Sequence, residues 1–369
     1  MREIVFTSNS DGSLFNFRRT LLERIRQNEK VTVISGTSLE ADYSDRLNKL
    51  GIGTHIVRSG IIPVYFRLAF VLFKKLKGMQ ARDCLLIYTL PSMVMCGFLL
   101  NFVKCDFRVI ATVTGLGRHF QQNMHHLSLK QKVFMKIFKL VFRKFDHIVF
   151  QNGDDLKLFE HYGIARDSGY HLVSGSGVDL TKFTPSQEKN VIEGDKIKIL
   201  YIGRALRLKG FLEFVESAKK LSSDARFEFL FAGNIDPKFQ DEVGDFSELC
   251  VQSGIKNLGF VTDTPRLLDS VDLIIAPSTY REGIPRSLIE AAAMDKYIIT
   301  CNTVGNKEVV RDGYNGRFVP FGDVAAIKNA VLEYAASDRG SYTGRSRQIA
   351  EERFDVANID DYIIGLMND

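Results

Sequence analysis

Two short stretches carry residue types that could handle a charged, hydroxyl-rich ligand. In the first, Gly203 and Arg204 follow a strand-like run, and Lys209 and Gly210 open the next helical one. Two positive charges thus project from a strand-end turn, where a departing diphosphate would find both a forked guanidinium and a compact ammonium. The second stretch is REGIPRSLIEAAAM, in which Glu282 and Glu290 stand eight residues apart, one just before a helix and one within it. Carboxylates so placed can accept hydrogen bonds from the paired hydroxyls of a sugar ring or a ribose. Gly283 permits close backbone approach, and the N–H groups at the helix start can meet a phosphate. Taken singly, each charge also reads as a solvated surface group; the combination points to a ligand.

Such turns need strands behind them. REIVFTS reads as a strand, FRRTLLERIRQN as a helix and KVTVIS as a second strand, which is the βαβ rhythm of a parallel sheet. The rhythm continues through LLIYTL, RVIATVT and HIVFQN, pauses at the polar stretch PSQEKNVIEGDK, and restarts with IKILYIG, FLEFVESAKKL and RFEFLFAG. LIIAPS and YIITCN then alternate with helices near PRLLDS, GIPRSLIEAAAM and VAAIKNAVLEYAA. The chain of 369 residues exceeds one ordinary core at about 150 residues per domain. The expected fold is therefore α/β, with two Rossmann-like doubly wound domains over 1–185 and 186–352. Ligands in such sheets lie at the carboxyl ends of the strands, so a tandem pair predicts a site in the cleft between them.

Composition and absent motifs narrow the chemistry. An apolar fraction of 45% and a charged fraction of 25% exclude disordered, collagen-like and disulfide-scaffold classes. Five cysteines without a CxxC pair support neither a zinc site nor a disulfide framework, so a reducing, cytoplasmic setting is expected. The N-terminus lacks a signal-peptide core, and the apolar run Leu85 to Val103 is interrupted by Thr89, Pro91, Ser92 and Asn101, as suits a buried strand followed by a helix. There is no GxGxxG, P-loop or GxSxG, which disfavours dehydrogenases, P-loop enzymes and α/β-hydrolases. No D-x-D occurs, so metal-independent chemistry is expected.

Charge divides unevenly. Residues 1–184 hold 26 Lys plus Arg against 15 Asp plus Glu, a net +11, whereas the remainder carries −6. Two acid-free windows, Arg46 to Arg82 and Phe107 to Phe145, hold eight basic residues each. Within the second, LKQKVFMKIFKLVFRKF reads as a helix with a basic stripe (Lys132, Lys136, Lys139, Arg143) and an apolar stripe (Phe134, Ile137, Phe138, Val141, Phe145). One reading is a core-facing helix with a solvated basic back. The other is an anionic membrane surface as partner, raised by a second basic and aromatic segment, IIPVYFRLAFVLFKKLKGM. Nucleic acid is not expected as a partner, because no zinc finger, RNP-like signature or Arg-rich recognition helix accompanies the charge.

GRALRLKG, EGIPRSLIEAAAM, GNKEVVRDGYNGRFVP and GVDLTKFTP together resemble the retaining glycosyltransferases of family 4, over nearly the whole chain. SLFNFRRTLLERI and TVTGLGRHF resemble the members that extend polyprenyl-diphosphate-linked oligosaccharides in capsule, O-antigen or protein glycosylation. The resemblance implies the GT-B fold, a nucleotide-sugar donor that is a substrate and not a cofactor, and a polyprenyl-diphosphate-linked acceptor at the inner face of the plasma membrane. It implies that Arg204 and Lys209 hold the donor diphosphate, Glu290 the ribose, and Glu282 the donor sugar, with Gly203, Gly283, Ile284, Pro285 and Arg286 shaping the loops around them. Gly12 and Ser13 would border the diphosphate and acceptor, with Asn16 and Arg18 nearby, and Thr114, Gly115 and Gly117 would form the acceptor wall, with His119 close by as a structural or acceptor-contacting residue. The C-terminal segment, about 353–369, would pack back on the first domain. A UDP-linked N-acetylhexosamine or hexose is the donor that the lipid-linked subgroup suggests.

The sequence departs from the family twice. Thr114 stands where many members carry His, which puts a general base there in question. Asp295 stands where a helix-ending Gly is commoner, and a rebuilt helix end is expected because Asp adopts left-handed geometry less readily. The rival functions are a GT-B enzyme with a soluble acceptor, a sugar-nucleotide epimerase, a phosphorylase, a noncatalytic scaffold and a nucleic-acid-binding protein.

Overall fold

The computed structural model describes residues 1–37, 43–58, 63–117, 128–164, 169–186, 196–236, 239–241 and 244–369. The chain forms two compact units, Met1–Ser176 with Val356–Asp369, and Gly177–Asp355.

The first unit runs β1 (Glu3–Ser8), α1 (Asp11–Arg26), β2 (Lys30–Gly36), α2 (Ser44–Lys49), β3 (Gly53–Val57), α3 (Val64–Lys77), β4 (Cys84–Tyr88), α4 (Leu90–Leu99), β5 (Arg108–Val113), α5 (Leu129–Val141), β6 (His147–Phe150), α6 (Gly153–Tyr162) and β7 (Gly169–Leu172). Its strands make a seven-stranded sheet in the order β3-β2-β1-β4-β5-β6-β7, parallel throughout. Strands buried on both faces read as unbroken apolar runs. In β1, Val5 joins the core on one side of the sheet while Ile4 and Phe6 join that on the other, following the two-residue period.

The second unit runs β8 (Ile197–Ile202), α7 (Phe211–Leu221), β9 (Phe227–Ala232), α8 (Phe246–Gln252), β10 (Ile255–Asn257), α9 (Thr264–Asp269), β11 (Leu273–Ala276), α10 (Arg286–Ala293), β12 (Tyr297–Thr300), α11 (Asn306–Val309), β13 (Gly316–Phe318), α12 (Val324–Ala336) and α13 (Arg345–Arg353). Its six strands are ordered β10-β9-β8-β11-β12-β13, again all parallel. The strand order reverses between β1 and β4 in one sheet and between β8 and β11 in the other, the two places where such sheets open a crevice.

The last helix, α14 (Val356–Asn368), belongs to the first unit. Ile359, Ile363, Leu366 and Met367 keep helical spacing and pack with Leu14, Leu21, Leu22 and Ile25 of α1. Arg24 binds the Ala357 carbonyl at 3.0 Å and the Asp361 carboxylate, and Arg2 binds the Asn368 amide oxygen at 2.7 Å.

Three sequence expectations are corrected. Residues 177–185 pack in the second unit, not the first: Phe183 is buried in its core, the Val178 amide donates to the Phe354 carbonyl at 2.8 Å, and the Arg347 guanidinium donates to the carbonyls of Leu180, Phe183 and Ala293. The helix end at Asp295 is not rebuilt. Asp295 adopts φ 55°, and its carboxylate compensates by accepting the Gly344 amide at 2.6 Å and the Arg347 amide at 3.2 Å, capping α13 where Gly344 has no side chain to do so. In α5 the inward row is Met135, Phe138 and Val141, continued by Phe142 and Phe145, whereas Phe134 and Ile137 lie one step around the helix and face outward. The expected strand and helix within Leu85–Val103 are β4 and α4, and among the described residues no helix is long and apolar enough to cross a membrane.

Candidate functional site

In the second unit the residues singled out from sequence gather at the β8–β11 reversal. Strand β8 ends at Ile202, and the chain turns through Arg204 and Lys209 before Gly210 opens α7. The Tyr201 hydroxyl lies 3.2 Å from the Arg204 carbonyl and 3.3 Å from that of Lys209, so one phenol holds both ends of the turn. Burial, followed by the nearby Glu282 charge, pushes the Tyr201 phenol up, which keeps its proton available for donation. Gly210 has φ 72°, and a Cβ there would lie 2.4 Å from the Pro277 carbonyl oxygen, so glycine is required by both backbone and space.

The same turn is fastened to the loop that follows β11. The Leu208 carbonyl accepts the amides of Thr279 and Tyr280 at 2.9 and 3.1 Å. Lys209 Nζ then donates to Glu282 Oε1 at 2.6 Å, with both side chains about three-quarters buried. Arg204 is freer: its side chain is 50% exposed, and Asp236 lies 4.0 Å away. On α10, the Arg286 guanidinium donates to Glu290 at 2.7 Å across one helical turn, and Glu290 is buried. Pro285 precedes α10 without any side-chain cap. Gly203, Gly283 and Ile284 are backbone and packing elements of these loops, with Ile284 buried in the core beneath.

Asn306, to which sequence reasoning assigned no role, secures the loop from behind. Its buried amide donates to the Ser278 carbonyl at 3.2 Å, the Thr300 hydroxyl at 2.9 Å and the Cys301 carbonyl at 3.3 Å. Gly305 before it sits so close that a Cβ would lie 2.2 Å from the Gly283 oxygen. The motif GNKEVV contained the signal, but nothing in its spacing shows that it underlies Glu282. Tyr201 was similarly hidden as one aromatic in an apolar strand.

In the first unit the candidates separate. Gly12 and Ser13 begin α1, where Ser10 caps the Ser13 amide at 3.2 Å and the Ser13 hydroxyl bonds the Ser10 carbonyl at 2.7 Å and Ser8 at 2.5 Å. Asn16 is exposed and donates to the Tyr43 hydroxyl at 3.2 Å. Arg18, expected near the acceptor, turns inward: it is buried, with its guanidinium 4.7 Å from the Tyr88 ring centre, because the inward face of α1 meets α14. Thr114, Gly115 and Gly117 form the half-buried loop after β5, and His119 lies outside the described residues. Thr89, directly after β4 at the strand reversal, has φ 71°, rare for a β-branched residue. Its hydroxyl accepts the Asn9 amide at 3.4 Å and pairs with Ser92 at 3.3 Å, joining the loops after β1 and β4.

The fold is that of the GT-B glycosyltransferases. Anabaena Alr3699/HepE, solved with UDP and glucose, aligns over 100% of both chains with a TM-score of 0.79 and 16% identity. Sucrose-phosphate synthase of Thermosynechococcus elongatus aligns over 100% of this chain and 98% of its own with a TM-score of 0.76 and 17% identity. Residues 196–337, which contain the Arg204–Gly210 turn, Glu282 and Glu290, match the family model described as Glycosyl transferases group 1. By sequence the chain is similar to the N,N'-diacetylbacillosaminyl-diphospho-undecaprenol alpha-1,3-N-acetylgalactosaminyltransferase of Campylobacter jejuni, 26% identical over 85% of this chain and 84% of that one. It is also similar to the UDP-Gal:alpha-D-GlcNAc-diphosphoundecaprenol alpha-1,3-galactosyltransferase of Escherichia coli, 28% identical over 42% of this chain and 43% of that one.

Proposed function

We propose that this chain is a retaining, metal-independent glycosyltransferase of family 4 that moves a sugar from a nucleoside diphosphate onto a polyprenyl-diphosphate-linked acceptor in surface glycan assembly. The observation that carries the reading is the Lys209–Glu282 pair at 2.6 Å beside the partly exposed Arg204. A donor diphosphate competes with Glu282 for Lys209, and the released carboxylate is then free to accept hydroxyls of the donor sugar. In the same way a ribose takes Glu290 from Arg286, whose guanidinium stands at the uncapped start of α10 where phosphate oxygens are favoured. Arg204 and Lys209 stabilise the charge that develops on the departing diphosphate, and its oxygen takes the acceptor proton, so Thr114 is not needed as a base.

The similarity to the two undecaprenol-dependent relatives supports the lipid-linked acceptor and, with it, a peripheral position at the inner face of the plasma membrane through the basic first unit. UDP-linked N-acetylhexosamine and hexose are the first donors to try. The test incubates the purified chain with each nucleotide sugar, with and without a polyprenyl-diphosphate-linked sugar, and measures nucleoside diphosphate release. Acceptor-dependent release that survives a chelator and yields a product with the donor's anomeric configuration is expected. Release that never depends on an acceptor would refute the transferase reading.

A further inference from the structure

Helices α3, α4 and α5 lie side by side on one side of the first unit's sheet. Leu68, Leu72 and Leu76 of α3, Met93 and Cys96 of α4, and Met135, Phe138 and Val141 of α5 share one core with β-strand side chains. A Cβ on Gly97 would lie 2.4 Å from the Val141 carbonyl oxygen, so α4 and α5 are in backbone contact. With those faces turned to the sheet, the opposite faces form a single outer surface.

That surface is unusually apolar for one meeting water. Phe66 and Phe70 on α3 are 71% and 59% exposed, Phe98 and Phe102 at the end of α4 are 58% and 59%, and Val133 and Leu140 on α5 are 50% and 55%. More than half of the exposed large apolar side chains among the described residues lie on these three helices and their ends. Contiguous exposed apolar surface of this kind marks an interaction face. Its charge has one sign: the three helices contain no Asp or Glu, while Lys132, Lys136 and Lys139 are exposed along α5. Lys74 stands 4.4 Å from the Phe70 ring centre and Lys77 4.5 Å from that of Phe73, so ammonium groups flank the rings.

We propose that this three-helix face inserts its rings into the interfacial zone of an anionic bilayer, with the lysines on lipid phosphates. The proposal rests on the membrane-held acceptor given above and sharpens it. Charge alone would hold the protein outside the headgroups and release it in salt, whereas four exposed phenyl rings on adjacent helices bury apolar surface that salt does not screen. A protein partner would need an extended groove both apolar and acidic, but a bilayer supplies the two together over the whole face.

The full chain is sedimented with vesicles of phosphatidylglycerol and phosphatidylethanolamine, and with phosphatidylcholine alone, at low and high salt. Wild type is expected to bind the anionic vesicles and to keep part of that binding at high salt. Phe66→Ser with Phe70→Ser, and separately Phe98→Ser with Phe102→Ser, should weaken partitioning about tenfold at both salts, since each loses two interfacial rings. Lys132→Gln with Lys136→Gln and Lys139→Gln should weaken it at low salt only. These side chains are exposed, so circular dichroism should show unchanged unfolding midpoints. Phe variants that bind like wild type, or a wild type that ignores anionic vesicles, overturn the proposal, as does concentration-dependent self-association abolished by the same substitutions. Nucleoside diphosphate release with a short, water-soluble acceptor separates the two readings: unchanged release in the Phe variants is expected. Ring-dependent vesicle binding without any release leaves this inference standing and removes the transferase.

Discussion

Arg204 and Lys209 carry like charges in one turn yet should fail differently when removed. Arg204 is half exposed and makes only a 4.0 Å approach to Asp236, so on the proposed function Arg204→Ala should remove transition-state stabilisation with little effect on the fold. Loss of such a preorganised contact costs about 3 to 4 kcal/mol, or roughly 100- to 1,000-fold in kcat. Lys209→Ala also leaves the Glu282 carboxylate unpaired beside the diphosphate, so KM should rise as kcat falls. Steady-state kinetics beside thermal midpoints check both, and wild-type turnover in either variant would sink the assignment. Asp295 makes a second prediction at this scale. Its left-handed φ and its cap on α13 oppose each other: Asp295→Gly relieves the first and loses the second, while Asp295→Ala keeps the strain and loses the cap. Urea midpoints should rank wild type above Gly and Gly above Ala, with Ala about 1–2 kcal/mol below wild type.

Helix α14 is tied to the sheet by a directed chain of hydrogen bonds. Arg108 donates to His147 Nε2 at 3.0 Å, which makes His147 Nδ1 the donor to His171 Nε2 at 2.9 Å and His171 Nδ1 the donor to the Tyr362 hydroxyl at 2.7 Å. Both rings must be neutral. Burial first, then Arg108 for His147 and the neighbouring ring for His171, hold both below the ordinary 6.5, while Asp146 and Asp369 pull weakly the other way. A base with a lowered folded-state pKa contributes stability that is complete above 6.5 and is lost as pH falls through the lowered value. Asp360, on the same helix, runs oppositely: burial outweighs Thr20, Arg18 and Arg24 and pushes it up to about 6, so its contribution is complete below 3.8 and is lost as pH rises through about 6. Urea midpoints should therefore fall less on acidification below pH 6.5 in His171→Phe, and should fall less as pH rises from 3.8 to about 6 in Asp360→Asn. A His171→Phe protein that still loses stability on acidification as wild type does would refute the histidine contribution.

At the scale of the whole chain, the first unit is completed by residues that come after the second. Ile359, Ile363, Leu366 and Met367 are all buried, and each such side chain contributes about 1.5 to 3 kcal/mol. Together they approach the whole stability of a typical domain, about 5 to 15 kcal/mol. Truncation after Asp355 should therefore unfold the first unit while the second, which holds Phe183 and Phe354 in its own core, remains folded. Hydrogen exchange should show lost protection in β1 to β7 and retained protection in β8 to β13; uniform protection would contradict the docking of α14.

Much of this was legible because it is local. The runs IVF in β1 and ILYI in β8 announce strands buried on both faces, FLEFVESAKKL and VAAIKNAVLEYAA match α7 and α12 by helical period alone, and the Arg204, Lys209, Glu282 and Glu290 set stands out by residue type. Short strands such as β3 and β7 escaped notice, since four or five residues with exposed positions carry no clear period. Periodicity says that a side chain faces inward or outward, not what it meets. That Lys209 pairs with Glu282, that Arg18 turns into the core while Phe66 and Phe98 remain outside, and that Asp295 caps a distant helix all depend on which strands and helices become neighbours. The β8–β11 pairing brings Leu273 beside Ile199, and only that adjacency brings the two distant turns together.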